Sequence, residues 1–379
     1  MYKRRQVFSG LENESCFLWG ARQTGKSTLL KATYPDTLYI DLLLSHEYGR
    51  FLRDPGQLHQ LGLALRSNDL IIIDEIQRIP ELLNEIQWLM VNHGLRFILS
   101  GSSPRKIIRS GGNLLGGRVL RYELYPLVSS EIDNIDLIKV INNGMLPRHY
   151  LSSQPEKLLA AYVGSYLRDE IQNEARIRNI SSFSRFLETA AITNGEMVNY
   201  SNIASDCGVS APTIKEYFQI LEDTLLGRFL PSFQKRPKRR VILAPKFYFF
   251  DLGIVNYLLK RSRISIGSEL FGKAFEHFIY QELYAHSNYS DLNYPIYYWR
   301  TASGMEVDFI LGDHEVAIEV KGSSEVKPRH IRGLNNFADE YRVKKLIVVS
   351  NDPYPRKMGN VQIIPWKKFL EDLWRDQII

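Results

Sequence analysis

Cysteine is nearly absent: Cys16 and Cys207 are the only two in 379 residues. Two thiols so far apart supply neither a Cys-x-x-Cys metal knuckle nor a disulfide framework. A structural zinc protein and a disulfide-stapled secreted domain are therefore set aside. Long apolar runs are missing as well: none approaches the ~18 residues that a membrane span needs, and Asp or Glu interrupts the longest ones. Met1-Tyr-Lys-Arg-Arg5 leads into Gln, Ser, Glu and Asn, with no apolar segment behind it. No export signal and no membrane partner are expected, and a reducing cytoplasmic location follows. Neither sign of charge dominates: 48 Lys and Arg against 42 Asp and Glu leave +6, with a pI near 9.0. Such an excess matters only where it is clustered. What remains is 44% hydrophobic and 12% aromatic, the composition of a globular protein, and the length allows two or three domains.

Four short apolar runs, Ser15–Trp19, Thr37–Asp41, Leu70–Ile73 and Leu95–Leu99, alternate with helical patterns and predict a buried parallel sheet of βα units. Directly after the first comes Gly20-Ala21-Arg22-Gln23-Thr24-Gly25-Lys26-Ser27, then Thr28, which fits G-x-x-x-x-G-K-[ST] between a strand and a helix. Glycines let backbone N–H groups close around a phosphate, and the helix N-terminus adds positive partial charge. The residues from Gly20 to Thr28 are the expected ATP-binding set, with Lys26 on the β- and γ-phosphates and the Ser27 hydroxyl on Mg2+. Four apolar residues carry Asp74 to the end of a buried strand, where it can hold the Mg2+ shell. Glu75 beside it is placed to polarise the attacking water. Ser100, or failing it Ser102, would put a hydroxyl beside the γ-phosphate. Arg118, after Gly116-Gly117, is a candidate to reach the transition state in cis or from a second subunit, which leaves self-association open; a plain surface arginine is the competing reading.

From Pro155 to Phe233 the pattern is helical. Tyr200 to Phe218 reads as helix, tight turn, helix: Gly208 allows the turn, Ser210 can cap the second helix and Pro212 suits its first turn. Strand candidates Arg228–Phe233 and Lys246–Phe250 flank the basic run Lys235–Arg240, a plausible phosphate-contacting wing of a winged helix. DNA contact and simple inter-domain packing are equally good readings of this part.

The last third begins with a helix from Glu269 to His286 and continues with strands at Ile296–Trp299, Val307–Leu311, Val316–Val320, Lys345–Val349 and Val361–Ile364. Strict alternation puts Val307 and Phe309 on one face and Asp308 on the other, and sets Glu319 and Lys321 opposite Ile318 and Val320. Paired as a hairpin, the strands would bring Asp308, Glu319 and Lys321 to one patch. The two carboxylates could hold Mg2+, and the lysine could stabilise charge or help deprotonate water. Glu276, on the preceding helix, would add a metal or water contact. His277, His314 and His330 form no compact ligand set and are expected to pack or face solvent.

With these residues in view, nearly the whole chain resembles a large bacterial and archaeal family of AAA-type ATPases fused to a C-terminal domain of unknown function. The motifs are Gly20–Ser27, Ile71-Ile-Ile-Asp-Glu-Ile-Gln77 with Arg78 and Pro80, Leu99–Ser103, Leu115–Arg118 with Glu123–Leu127, Tyr166–Glu170, Asn199-Tyr-Ser, Lys246–Gly253 and the strands Glu306–Lys321. In its last third that family is similar to PD-(D/E)xK nucleases; the leading proline is absent here, Val307 preceding Asp308. The resemblance implies an α/β fold class: a P-loop NTPase with an AAA-like parallel sheet over 1–152, a helical and winged-helix region over 153–265, and a restriction-endonuclease-like domain over 266–379. It implies ATP and Mg2+ as ligands and DNA as a partner. The expected function is ATP hydrolysis controlling a DNA-associated domain that either cleaves DNA or serves as a non-cleaving scaffold. A nucleotide-switched DNA-binding regulator and a protein-interaction ATPase are the rival readings.

Overall fold

The computed structural model describes residues 2–109, 115–167, 179–235, 241–261 and 263–379. They divide into two compact units, one formed by Gln6–Tyr125 with Asp223–Leu226 and the other by the remainder.

The first unit is built on five parallel strands: β1 Ser15–Trp19, β2 Leu38–Asp41, β3 Leu70–Asp74, β4 Arg96–Gly101 and β5 Val119–Glu123. Their order across the sheet is β2-β3-β4-β1-β5. Phe17, Ile71, Ile73, Phe97 and Leu99 sit in one core, while Cys16, Leu18, Ile72 and Ile98 are buried on the opposite side. Both faces are covered, which is why the strands read as continuous apolar runs. β4 lies between β1 and β3, and Ser100 is in register with both Leu18 and Asp74. The strand ends that bear the phosphate-loop motif and the acidic pair therefore open on one edge, with Ser100 between them.

In the second unit, helices Ile180–Ile192, Tyr200–Cys207 and Ala211–Asp223 precede an antiparallel ribbon of β6 Gly227–Leu230 and β7 Lys246–Phe249. Gly208 ends the middle helix at φ 66°, the left-handed conformation that a glycine adopts without steric cost. The Ser210 hydroxyl accepts from the Thr213 N–H at 3.3 Å. Residues 236–240 of the basic run and 168–170 of the Tyr166–Glu170 motif lie outside the described residues.

Six further strands, β8 Ile296–Arg300, β9 Glu306–Leu311, β10 Val316–Lys321, β11 Lys345–Ser350, β12 Arg356–Met358 and β13 Val361–Pro365, form a mixed sheet ordered β12-β13-β11-β10-β9-β8. The long helix Glu269–Tyr289 shares a core with one face, through Phe271, Phe275 and Phe278 against Phe309, Ile318 and Val320. The other face packs Val307, Ile310 and Ala317 with Phe337. One expectation needs correction here: Val307 and Phe309 do not share a face. β8 pairs Tyr297 with Ile310 but Trp299 with Val307, so Tyr298 opposes Asp308 and Phe309 together. That extra residue is a β-bulge, and it breaks the alternation between Val307 and Phe309.

The segment Lys246–Gly253 is anchored by polar side chains. Its buried Asp251 accepts backbone N–H bonds from Met145 at 2.6 Å, Leu146 at 3.2 Å and Gly253 at 2.9 Å. Gly144, at φ 76°, leaves no room for a Cβ against that carboxylate.

Candidate functional site

The loop after β1 has the backbone its sequence demands. A Cβ on Gly20 would sit 2.5 Å from the Leu124 carbonyl oxygen, and Gly25 lies at φ 98°, where only glycine is unstrained. The helix Lys26–Thr33 starts there, so its free N–H groups and positive end face the loop. Lys26 is buried, and its Nζ donates to the carbonyls of Gly20 at 2.7 Å and Ala21 at 3.3 Å. Thr24 Oγ1 donates to the Ala21 carbonyl, while Arg22, Gln23 and Thr28 are exposed.

Asp74 gathers the rest. Its Oδ2 accepts from the Ser27 hydroxyl at 2.5 Å and the Tyr39 hydroxyl at 2.6 Å, and its Oδ1 accepts from Ser100 and from the Glu75 N–H. Burial, and then the Asp74 charge, push the Tyr39 phenol upward, so it remains a donor. The Ser27 hydroxyl beside an Asp carboxylate is a hard-oxygen set of the kind Mg2+ takes while keeping several waters. These residues fit that ion. Glu75 is held at φ 62°, and Gln77 Nε2 donates both to its Oε2 at 2.5 Å and to Ser102 Oγ at 3.0 Å. Gly101 makes this packing feasible, since a Cβ there would collide with Gln77 Oε1 and the Trp19 ring. Thus Ser100 meets Asp74, whereas Ser102 meets Gln77. The position of Gln77 two residues after Glu75 was the available signal for its role. Arg118 is exposed on the turn leading into β5, with no side-chain bond to the Asp74 group among the described residues.

The second unit assembles the other candidates around two lysines. Glu319 pairs with Lys321 at 2.5 Å, and Asp308 Oδ2 accepts the Val320 N–H at 2.8 Å. Glu276 on the long helix accepts from Tyr248 at 2.6 Å and pairs with Lys246 at 3.3 Å. Lys246 also pairs with Glu306 at 2.8 Å, and Arg300 takes the other Glu306 oxygen at 2.8 Å. Burial, and next the neighbouring carboxylates, hold Asp308 and Glu319 above the usual acid range. Burial opposes the charge on Lys246 and Lys321, but the surrounding acids outweigh it and keep both ammoniums protonated. Burial pushes Glu306 up, but Lys246, Arg300 and Lys321 together outweigh it and pull the group down. Lys246 and Glu306 had no role assigned from the sequence, because the lysine reaches the cluster from the ribbon, 60 residues before Glu306 in the chain. Among the described residues no group of three or more His, Cys, Asp or Glu is arranged to hold a metal. His277 is fully buried, its Nε2 2.6 Å from the Phe249 carbonyl oxygen, and burial lowers it to about 4. No helix among the described residues is long and apolar enough to cross a membrane.

Three family models match in succession. Residues 12–133 match an AAA domain, 134–265 a domain of unknown function (DUF8612), and 271–369 another domain of unknown function (DUF4143). No characterised protein matches the chain significantly. Solved structures with some likeness include a variant of Thermotoga maritima RuvB, at 15% identity over 57% of this chain and 82% of that one, TM-score 0.24. Aeropyrum pernix Orc1 in complex with DNA matches at 12% identity over 65% and 86%, TM-score 0.24. A Pyrococcus horikoshii signal transduction ATPase with numerous domains, which carries a tetratricopeptide repeat sensor, matches at 15% over 77% and 51%, TM-score 0.21. Likenesses so slight add nothing about function. The family match and the five-stranded parallel sheet identify the first unit as an α/β P-loop domain of AAA type.

Proposed function

We propose that the protein is a Mg2+-dependent ATPase whose nucleotide cycle controls a DNA-associated C-terminal domain. The observation that carries the ATPase reading is the convergence of Ser27, Ser100 and Tyr39 on Asp74, with Glu75 next in the chain and held by Gln77. Lys26 exchanges its loop carbonyls for the β- and γ-phosphates. Bound Mg2+ would supply charge neutralisation between them. Glu75 takes a proton from the attacking water, a role that a binding-only switch would not need. Arg118 is the proposed transition-state contact, whether from the same chain or from a second copy.

Lys26→Ala tests the first step. Its phosphate contacts would be lost, so Mg–ATP affinity measured by calorimetry should fall by at least ~100-fold, consistent with losing charge-assisted bonds worth about 1.5–3 kcal/mol each. No heat from wild-type protein titrated with Mg–ATP would remove the ATPase reading altogether.

For the C-terminal unit, Asp308, Glu319 and Lys321 are the proposed phosphodiester site, with Glu276 supporting it. The non-cleaving alternative is favoured by one observation: Glu276 and Glu306 are already engaged by Lys246. Metal-dependent nicking of duplex, single-stranded and branched DNA separates the two. If the unit cleaves, Glu319→Ala abolishes nicking and leaves ATP turnover intact. Absence of nicking by wild-type protein on every substrate, with salt-dependent DNA binding retained, selects the regulator.

A further inference from the structure

Four carboxylates and two lysines share one buried neighbourhood, and the lysines differ in what they do. Lys321 belongs to the same strand as Glu319 and pairs with its Oε1. Lys246 arrives from the β6–β7 ribbon, is 4% exposed, and pairs with acids from two other elements, the long helix and β9. Its field also reaches Asp308. One oxygen of the cluster has no such partner: Glu319 Oε2 is buried without any hydrogen bond. A buried acid oxygen left unmatched is costly and marks a place where a cation or proton belongs.

We propose that Lys246 is a built-in occupant of the cluster, standing in for a divalent cation and holding its metal affinity down. An ammonium paired with both Glu276 and Glu306 holds those two acids to itself, and with it in place no three acids among the described residues are arranged around a metal. It also repels an incoming dication at short range, where water screens poorly. With Lys246 in place only Asp308 and the free oxygen of Glu319 remain for a metal. Once it is withdrawn, Glu276 and Glu306 lose the cation they share, and four acids are left against Lys321 and Arg300. Because Lys246 is the first residue of β7, any shift of the ribbon relative to β9 would change the metal affinity of the cluster without altering an acid.

This inference deepens the reading of the cluster as a phosphodiester site, but its readout is ion binding, so failure to nick DNA leaves it standing. Full-length, nucleotide-free protein is titrated with Mn2+, and bound ion is followed by electron paramagnetic resonance. Lys246→Met should bind one Mn2+ at least tenfold more tightly than wild type, and adding Glu319→Gln should abolish the gain. Lys246→Met combined with Glu306→Gln removes one charge of each sign and serves if the single variant does not fold; it should show the same direction of change. Wild-type protein that already binds Mn2+ at a Glu319-dependent site as tightly as these variants would overturn the proposal. So would folded variants that gain nothing.

Discussion

Glu75→Gln is expected to bind Mg–ATP within about twofold of wild type while turnover falls by ~100-fold or more, the usual contribution of a positioned general base. The separation follows from the geometry. Glu75 bonds to Asp74 through its N–H and to Gln77 through its carboxylate rather than to the phosphate loop, so the cradle survives its loss, and an amide keeps the shape while losing basicity. Gln77→Leu provides the companion result. It removes the donor that fixes the Glu75 carboxylate and bonds Ser102. Turnover should drop by about tenfold with KM little changed, because the carboxylate is no longer held in place. A purely structural role for Gln77 would lower Tm and leave kcat of the folded protein unchanged. Stopped kinetics with both variants, alongside calorimetric affinity, checks the pair.

Asp251→Ala should destabilise the second unit by about 3 kcal/mol or more, because the N–H groups of Met145, Leu146 and Gly253 would be left buried and unmatched. Against a typical total of about 5–15 kcal/mol this is a large fraction, and it corresponds to a Tm lower by about 6–12 °C. Asp251→Asn keeps an accepting oxygen in place and should cost less. It also carries a pH signature. Burial raises Asp251 to about 6 from an ordinary 3.8, the backbone N–H bonds opposing only part of that rise. Between those values the folded state binds the proton that the unfolded state releases. This group's contribution therefore weakens stability as pH climbs from 3.8 to about 6, and is constant above that. Asn cannot titrate, so the difference in Tm between wild type and Asp251→Asn should change through that window and level off beyond it. Thermal melts at a series of pH values read it directly.

The elements most legible in the sequence are those whose environment is uniform along their length. β1, β3 and β4 are buried on both faces, so their apolar runs stand out, and the loop from Gly20 to Ser27 announces itself by a backbone requirement. β5 was not legible, because it is an edge strand, half exposed, with Arg121 in its centre. The bulge at Asp308 was hidden for a different reason. It depends on how β8 pairs with β9, and no local pattern records pairing. Lys246 shows the same limit at longer range: alternation explains why Tyr248 accompanies it, but only the packed long helix explains why both meet Glu276. The long helix runs three residues past its expected end at His286, to Tyr289, where Asn288 and Ser290 side chains donate to the carbonyls of Tyr284 and His286.

The irregularity opposite Tyr298 has one more consequence. Removing one residue there would restore an even ladder and leave a single residue of β9 facing Tyr298. Either the carboxylate of Asp308 or the ring of Phe309 could take that place, but not both. The surplus residue is what lets one strand contribute an acid to the cluster and still fill the core beside Ile318.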